Sequence, residues 1–241
     1  MEQKKMSKLS ALNVSTLYDV TIPSSGENVK FRAYNVKEER ALLTADESKD
    51  GSVMISTLNQ VVLNCIMPTP ENLTSFDLEY LFAQIRAKSV GEISTISVGC
   101  DEKDCKEVSI EYKYNLSDLQ VVFPPNKNMN IVLSDTLVIK MKYPSVEDSL
   151  KIEQLSSDSA KKYKAVKSSI DIIYAGDEAI KVSEEPESEI ISFIDNLNPK
   201  QYRKLEEFFE EMPFVEGTLK YRCTNCKKEH TKKIQGLLNF F

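Results

Sequence analysis

The chain has 241 residues, of which 41% are hydrophobic and 28% are charged, so it can bury a core of ordinary globular size. No apolar run reaches the about 18 residues that a membrane helix needs, and the polar, lysine-containing start is unlike a secretory signal. The net charge of −6 and the single histidine count against a surface that coats nucleic acid and against most histidine-based catalysis. We therefore expect a soluble, cytosolic, non-enzymatic protein.

The sequence pattern of the first part of the chain predicts a hairpin followed by three helices. Residues Leu17–Tyr34 alternate between apolar and polar side chains on both sides of a Pro/Ser/Gly turn, which is typical of a hairpin. Helical spacing then predicts one helix from Val36 to the polar stretch that ends at Gly51. A second helix is predicted over Met54–Ile66, and a third begins at about Ser75.

Four of the five cysteines form two close pairs. Cys100 and Cys105 have the spacing C-x4-C, and Cys223 and Cys226 have the spacing C-x2-C. Both spacings occur where a tight turn directs two thiolates at one zinc ion. An odd number of cysteines without an export signal makes a disulfide framework a poor explanation. Cys65 lies in an apolar stretch, where a buried free thiol is the ordinary interpretation.

The sequence around each pair predicts a hairpin with the cysteines at its tip. Residues 93–98 and 108–114 alternate on either side of the first pair, and residues 218–234 follow the same plan more weakly around the second. Residues 101–107 carry four carboxylates against two lysines, whereas residues 220–233 carry six basic side chains against one glutamate. Hairpins of opposite charge can dock face to face, and their four sulfurs would then bind one structural zinc ion.

Two alternatives to this zinc site remain open. The four cysteines could be reduced thiols on unrelated turns, or the remains of a site that has lost its metal. His230 could replace a cysteine as a ligand, but four sulfurs already suffice, so we interpret it as a surface residue of a strand. The fold class predicted from these patterns is α+β, with mixed helices, antiparallel hairpins and a four-cysteine, zinc-ribbon-like element formed by the two hairpin tips.

Strands, helices and an acidic break are predicted in the second half. Strands are expected near 121–123 and over 133–141, a helical stretch over 145–175, and short helices over 190–197 and 199–212. The last of these has proline at its first position behind an asparagine cap. Because residues 183–187 form an acidic break, we predict a main α+β domain over 1–183, which includes the first cysteine pair, and a C-terminal region over 184–241 that packs on it.

The C-terminal region contains apolar side chains with two interpretations. They can fold back onto the chain's own core, or they can dock in a groove of a partner protein. The candidate partner-binding residues are Phe208, Phe209, Met212, Phe214, Leu237, Leu238, Phe240 and Phe241.

Four blocks of the sequence together resemble the baseplate hub assembly proteins of T-even-like, contractile-tailed bacteriophages. The blocks are 17–39, Phe76–Phe82 with Arg86–Glu92, Met141–Pro144, and the ending that runs from Phe208 through Cys223 and Cys226 to Phe241. Members of that family typically have C-x2-C at both cysteine pairs, and this chain departs from the pattern with C-x4-C at the first.

The resemblance implies a non-catalytic role in building the central hub of the tail baseplate, in the cytoplasm of the infected cell. Its implied partners are other hub or baseplate proteins, with no small-molecule substrate. Whether the protein remains in the virion baseplate or leaves as a chaperone stays open. A nucleic-acid-binding zinc ribbon, suggested by the basic strip 220–233, is the alternative. An enzyme with Cys105 or Cys226 as nucleophile is disfavoured, since His230 is the only nearby base.

Overall fold

The structure is a computed structural model that describes residues 15–100, 102, 105, 109–125 and 127–236. The elements of its first half are β1 (Leu17–Thr21), β2 (Asn28–Arg32), α1 (Val36–Ser48), α2 (Gly51–Cys65), β3 (Ile66–Met67), α3 (Ser75–Ser89), β4 (Ile93–Gly99), β5 (Ser109–Asn115) and β6 (Gln120–Val122). Those of the second half are β7 (Asn130–Ser134), β8 (Leu137–Met141), α4 (Val146–Glu153), α5 (Asp158–Ser169), β9 (Ile170–Ala175), β10 (Glu178–Lys181), α6 (Glu187–Asp195), α7 (Pro199–Glu206), β11 (Phe214–Arg222) and β12 (Glu229–Gln235).

The described strands form four antiparallel sheets. Their strand orders are β1-β2-β3, β10-β9-β8-β7, β12-β11-β6 and β4-β5. Helices pack among these sheets rather than connecting parallel strands, because neighbouring strands are joined mostly by short turns. The predicted α+β class with antiparallel hairpins is therefore confirmed.

Side-chain caps explain where three of the helices begin. Asn35 caps α1, Thr74 caps α3 and Asn198 caps α7, and in each case the side chain three residues later bonds back to the backbone of the cap. These reciprocal bonds satisfy amide groups that have no partner within the helix. The predicted asparagine cap in front of Pro199 is confirmed.

The helical prediction over 145–175 is wrong in its last part. Helix α5 ends at Ser169, and Ile170–Ala175 forms β9, which lies between β8 and β10 in its sheet. The side chains of Ile170, Ile172 and Ile173 are β-branched and favour a strand. Gly176, with a φ of +61°, then allows the tight turn that returns the chain as β10. The predicted strands over 133–141 are confirmed as parts of β7 and β8.

Among the residues that the structure describes, two large apolar clusters form the core, apart from a small cluster around the cysteines. The first joins early and late parts of the described chain, since it contains side chains of α2 and α3 together with Val215 and Leu219 of β11. The second consists of residues within 129–212. Strands β6 and β11 pair with each other at the point where the chain enters and leaves this second cluster. The division at residues 183 and 184 stays a prediction, and the second cluster contains residues from both sides of it.

The predicted partner-binding residues are only partly accessible. Phe208 is 2% exposed and packs in the second cluster, with its ring 5.7 Å from that of Tyr143. Phe209, Met212 and Phe214 are half-buried. The other four candidates, Leu237, Leu238, Phe240 and Phe241, lie outside the described residues.

Candidate metal centre

Two hairpins from distant parts of the sequence bring their cysteines together. Strands β4 and β5 lead to and from Cys100 and Cys105, while β11 and β12 lead to and from Cys223 and Cys226. The sulfur atoms of these four cysteines all lie within 4.8 Å of one another. The structure thus places the four residues that the sequence singled out in one cluster.

The spacing of the sulfurs suits a tetrahedral ion. The Sγ atoms of Cys100 and Cys226, which are 126 positions apart in the sequence, are separated by 3.8 Å. In a tetrahedral zinc centre with Zn–S bonds of about 2.3 Å, the sulfurs are about 3.8 Å apart. Sulfurs joined in a disulfide would instead be separated by about 2.0 Å. The cluster therefore has room for an ion with four thiolate ligands.

The second hairpin builds its half of the cluster with a tight backbone turn. The Cys223 amide donates to the Lys228 carbonyl at 2.9 Å, and the Lys227 amide donates to the Cys223 carbonyl at 3.1 Å. Lys227 adopts a left-handed φ of 61°, so the chain reverses directly after Cys226. The backbone amides of Asn225 and Cys226 then point toward the Cys223 sulfur.

The first hairpin brings two cysteines with the longer C-x4-C spacing to the cluster. The Cys105 amide donates to the Glu102 carbonyl at 2.9 Å, and the Glu102 amide is directed at the Cys100 sulfur. Both sulfurs of this hairpin therefore reach the cluster, although its spacing has two more residues than C-x2-C.

The two hairpins prepare their sulfurs differently for binding. Amide hydrogen bonds from Cys226 and Asn225, together with neighbouring thiols, outweigh burial and lower the pKa of Cys223 to about 7. The Glu102 amide lowers the pKa of Cys100, but burial and the thiols of Cys223 and Cys226 raise it to about 12. Since the thiolate is the form that binds metal, Cys223 is more readily available to a cation than Cys100.

Contacts outside the sulfurs also hold the hairpins together. Lys228 of the second hairpin forms an ion pair with Glu102 of the first at 2.9 Å, as the opposite charges of the two tips suggested. The Tyr221 hydroxyl donates to the Gly99 carbonyl at 2.7 Å. Cys100, Cys105 and Cys223 are buried, so water has little access to three of the four sulfurs.

Two further side chains lie beside the sulfurs; the sequence named His230 as a possible replacement ligand and did not mark Asn225. His230, interpreted as a surface residue, is half-buried, and its Nε2 lies 3.4 Å from the Cys100 sulfur. The Asn225 side chain donates to the Cys105 sulfur at 3.2 Å. A signal for His230 was present in the alternation of β12, because Ile234 marks the inner face and His230 is four residues before it. Nothing in the sequence marked Asn225 apart from its place between two cysteines.

Comparisons with known proteins cover almost the whole chain. A family model described as the T4 bacteriophage base plate protein matches residues 15–241. The chain belongs to this family. A curated relative, the baseplate hub assembly protein gp26 of Enterobacteria phage T4, is 24% identical over 224 residues, which are 93% of this chain and 96% of the relative. No solved structure matches the chain significantly.

Membership of the T4 base plate protein family confirms the resemblance found in the sequence. The matched region contains both cysteine pairs and both apolar clusters. Within the part of this base plate protein that the structure describes, no helix combines the length and apolar character needed to cross a membrane.

The fifth cysteine of this base plate protein lies apart from the metal centre, in the first apolar cluster. Cys65 is fully buried, and its sulfur is 3.9 Å from a carboxylate oxygen of Glu38. Burial and the nearby Glu38 charge raise the pKa of Cys65 to about 12. A thiol held in its neutral form among apolar side chains is a packing residue rather than a metal ligand.

The basic strip over 220–233 is partly neutralised within the protein. Lys228 pairs with Glu102, and Lys233 pairs with Glu216 at 2.9 Å. Two of the six basic side chains on which the nucleic-acid interpretation depends therefore form ion pairs within the protein.

Proposed function

We propose that this chain is a non-enzymatic assembly protein of the phage tail baseplate hub, which acts by binding other hub or baseplate proteins in the infected cell's cytoplasm. The observation that carries the proposal is the family match over residues 15–241, together with a relative of nearly equal length named as a baseplate hub assembly protein. A match over the whole length supports a shared role better than a shared local motif would.

The buried carboxylates support a non-enzymatic role because each has a structural partner. Glu38 accepts two hydrogen bonds from Arg32, at 2.9 and 2.6 Å. Asp77 accepts from the Thr74 hydroxyl and from the Ser24 amide, and Glu216 pairs with Lys233. Carboxylates whose acceptor atoms are occupied in this way stabilise the fold and are poorly suited to acid–base catalysis.

We further propose that the four cysteines bind one structural zinc ion, which makes the two hairpin tips a zinc-ribbon-like element. The cluster is closed by four sulfurs, which suits a structural rather than a catalytic centre, since catalytic zinc keeps a ligand position open. The ion would join β4–β5 to β11–β12. The β6–β11 pairing already joins the part of the chain that leaves the first apolar cluster to the part that returns to it. The ion would add a second connection between these two parts.

Metal analysis of protein purified without chelator tests the zinc proposal. We expect about one zinc per chain, which is lost in Cys223→Ala because one of the four sulfur ligands is removed. The matched control is Cys65→Ala, which removes a cysteine outside the cluster and is expected to retain the metal. Less than about a tenth of an equivalent in the unmodified chain would contradict a zinc site.

Capture of partners from infected cells tests the hub proposal. A tagged chain is expected to retain other baseplate proteins, and Phe240→Ala with Phe241→Ala is expected to abolish that retention if the apolar C-terminus is the docking segment. Leu43→Ala is the matched control, because Leu43 is 60% exposed on α1, far from that terminus in sequence. Absence of every tail protein from the captured material would contradict the hub role.

Quantitative mass spectrometry separates the two forms of this role. A small whole number of copies in each purified particle identifies a component of the virion baseplate. Abundance in infected-cell lysate without the protein in particles identifies a chaperone that leaves after assembly.

A further inference from the structure

Two side chains of the second hairpin place nitrogen atoms next to the sulfurs of the first. The Asn225 Nδ2 atom lies 3.2 Å from the Cys105 sulfur, and the His230 Nε2 atom lies 3.4 Å from the Cys100 sulfur. His230 Nε2 is also 4.0 Å from the sulfur of Cys226, on its own hairpin. Each sulfur of the first hairpin thus has a polar side chain from the second hairpin within hydrogen-bonding distance.

The chemistry of a metal-bound thiolate decides which way these bonds run. A thiolate has no proton and can only accept, so its partner must donate. The amide nitrogen of Asn225 is such a donor, and His230 is one when its proton is on Nε2. Four thiolates around a divalent cation carry a net charge of about −2, and N–H donors that point at the sulfurs stabilise that charge.

The position of the His230 ring is fixed by contacts on another face. The ring stacks on Tyr221, with 5.4 Å between ring centroids and 24° between planes. Tyr221 lies directly opposite His230 in the β11–β12 ladder, and its hydroxyl is held by the Gly99 carbonyl of the first hairpin. The imidazole is therefore held against the Cys100 sulfur from within the strand pair.

We propose that His230 and Asn225 are positioning residues of the metal centre, which donate N–H groups from the second hairpin to the Cys100 and Cys105 thiolates of the first. This inference rests on the proposed zinc site and extends it. The second hairpin supplies two ligands of its own and also two donors that hold the other pair of ligands on the ion. Partners of metal ligands that act in this way commonly change metal affinity by about 10- to 100-fold.

Two substitutions remove the donors while keeping the shape of each side chain. His230→Phe keeps a ring on Tyr221 without an N–H group, and Asn225→Leu keeps the number and branching of the heavy atoms, with two bulkier methyl groups in place of the amide. Matched controls are Thr231→Val and Thr224→Ala, since both threonines are exposed neighbours of the altered residues. His230→Gln restores an N–H donor and is expected to restore zinc retention in part.

The expected result is zinc release to a competing chelator that is about tenfold faster in each donor variant than in the controls. In cobalt-loaded protein, the sulfur-to-cobalt charge-transfer band is expected to move to longer wavelength, because a thiolate without its hydrogen bond is more easily oxidised. A purely structural role would not shift this band in variants that retain the four-sulfur ligand-field spectrum.

A measurement on the unmodified chain removes any dependence on how the variants fold. In cadmium-loaded protein, NMR is expected to show scalar coupling between cadmium and the side-chain N–H protons of His230 and Asn225. Zinc bound with unchanged release, unchanged spectra and no such coupling would overturn the inference while leaving the zinc site intact. A cobalt spectrum typical of three sulfurs and one nitrogen would overturn it in favour of His230 as a ligand, and an unmodified chain that binds no metal would overturn both proposals.

Discussion

The base and the tip of the β11–β12 hairpin are held by different kinds of contact. At the base, Val215 and Leu219 are fully buried in the first apolar cluster, and β6 pairs with β11. At the tip, the two sulfurs of Cys223 and Cys226 and a few polar side chains meet the two sulfurs of the first hairpin, β4–β5. Apolar packing is present as soon as the chain folds, whereas thiols that cluster without an ion repel as they ionise. The base is therefore expected to be stable by itself and the tip to depend on metal.

Removal of zinc should cause the largest decrease in the free energy of unfolding, because it releases the contacts at the tip. When free zinc exceeds its dissociation constant a thousandfold, binding stabilises the folded chain by about 4 kcal/mol. Thermal unfolding with and without a chelator measures this difference. We expect the chelated protein to keep its far-ultraviolet circular dichroism at room temperature, because the base is held by apolar packing. Complete loss of secondary structure on chelation would contradict the separation of base and tip.

Leu219→Ala should give the next largest effect, and it should act through the base. Removing a fully buried leucine side chain typically costs about 3 kcal/mol in free energy of unfolding, from lost burial and the cavity left behind. Denaturant titration measures the loss in the zinc-loaded and chelated protein. A similar loss in both forms is expected, and a loss confined to the zinc-loaded form would show that base and tip act as one unit.

Glu38→Gln should lower the free energy of unfolding by about 2 kcal/mol, because it weakens the first apolar cluster, in which the base is packed. The substitution removes charge-assisted hydrogen bonds from the nearly buried pair Arg32–Glu38. The hydrogen bonds from Arg32 lower the pKa of Glu38 from its ordinary value near 4.5, against an opposing effect of burial. Because the pKa is lowered in the folded state, this contribution is present above the ordinary value and is lost as the pH falls through the lowered one. The stability difference between the two proteins, measured by denaturant titration, should therefore shrink as the pH falls from about 4.5 to the lowered pKa.

Tyr221→Phe should lower the free energy of unfolding by about 1 kcal/mol, which is the usual net contribution of one buried hydrogen bond. The hydroxyl that donates to the Gly99 carbonyl is lost, while the ring that stacks on His230 stays. Zinc content is expected to remain at one ion per chain, with a small decrease in melting temperature. A large loss of zinc would mean that this single bond positions the whole tip.

Lys228→Ala should give the smallest effect. Its ion pair with Glu102 joins two largely exposed side chains, and such pairs are weakened by solvent and by salt. We expect a slight decrease in stability at low ionic strength that disappears at high salt. An equal decrease at both ionic strengths would indicate a role other than charge attraction.

Local patterns predicted most of the elements, but they did not predict how distant strands pair. Alternation predicted β4 and β5, and the asparagine before Pro199 predicted the start of α7. The segment Ile170–Ala175 was predicted as helix because it continues a helical stretch, and it forms a strand because a neighbouring strand is available on each side. The pairing of β6 with β11 joins distant parts of the chain, and no local signal encodes it.

The residues of the candidate site also fall into two groups: those that a local pattern predicts and those that depend on tertiary packing. Cysteine spacing identified all four sulfurs, since the turn that presents two thiolates to one ion is a local structure. The donors are different, because Asn225 and His230 matter only once the other hairpin is in place. Their distances to Cys105 and Cys100 are a consequence of tertiary packing.

X-ray absorption at the zinc edge, on protein purified without chelator, tests the central claim most directly. Four sulfur ligands at about 2.3 Å, with no nitrogen or oxygen in the first coordination shell, are the predicted result. A shell that contains nitrogen or oxygen in place of any of the four sulfurs, or a chain that carries no zinc, would contradict it.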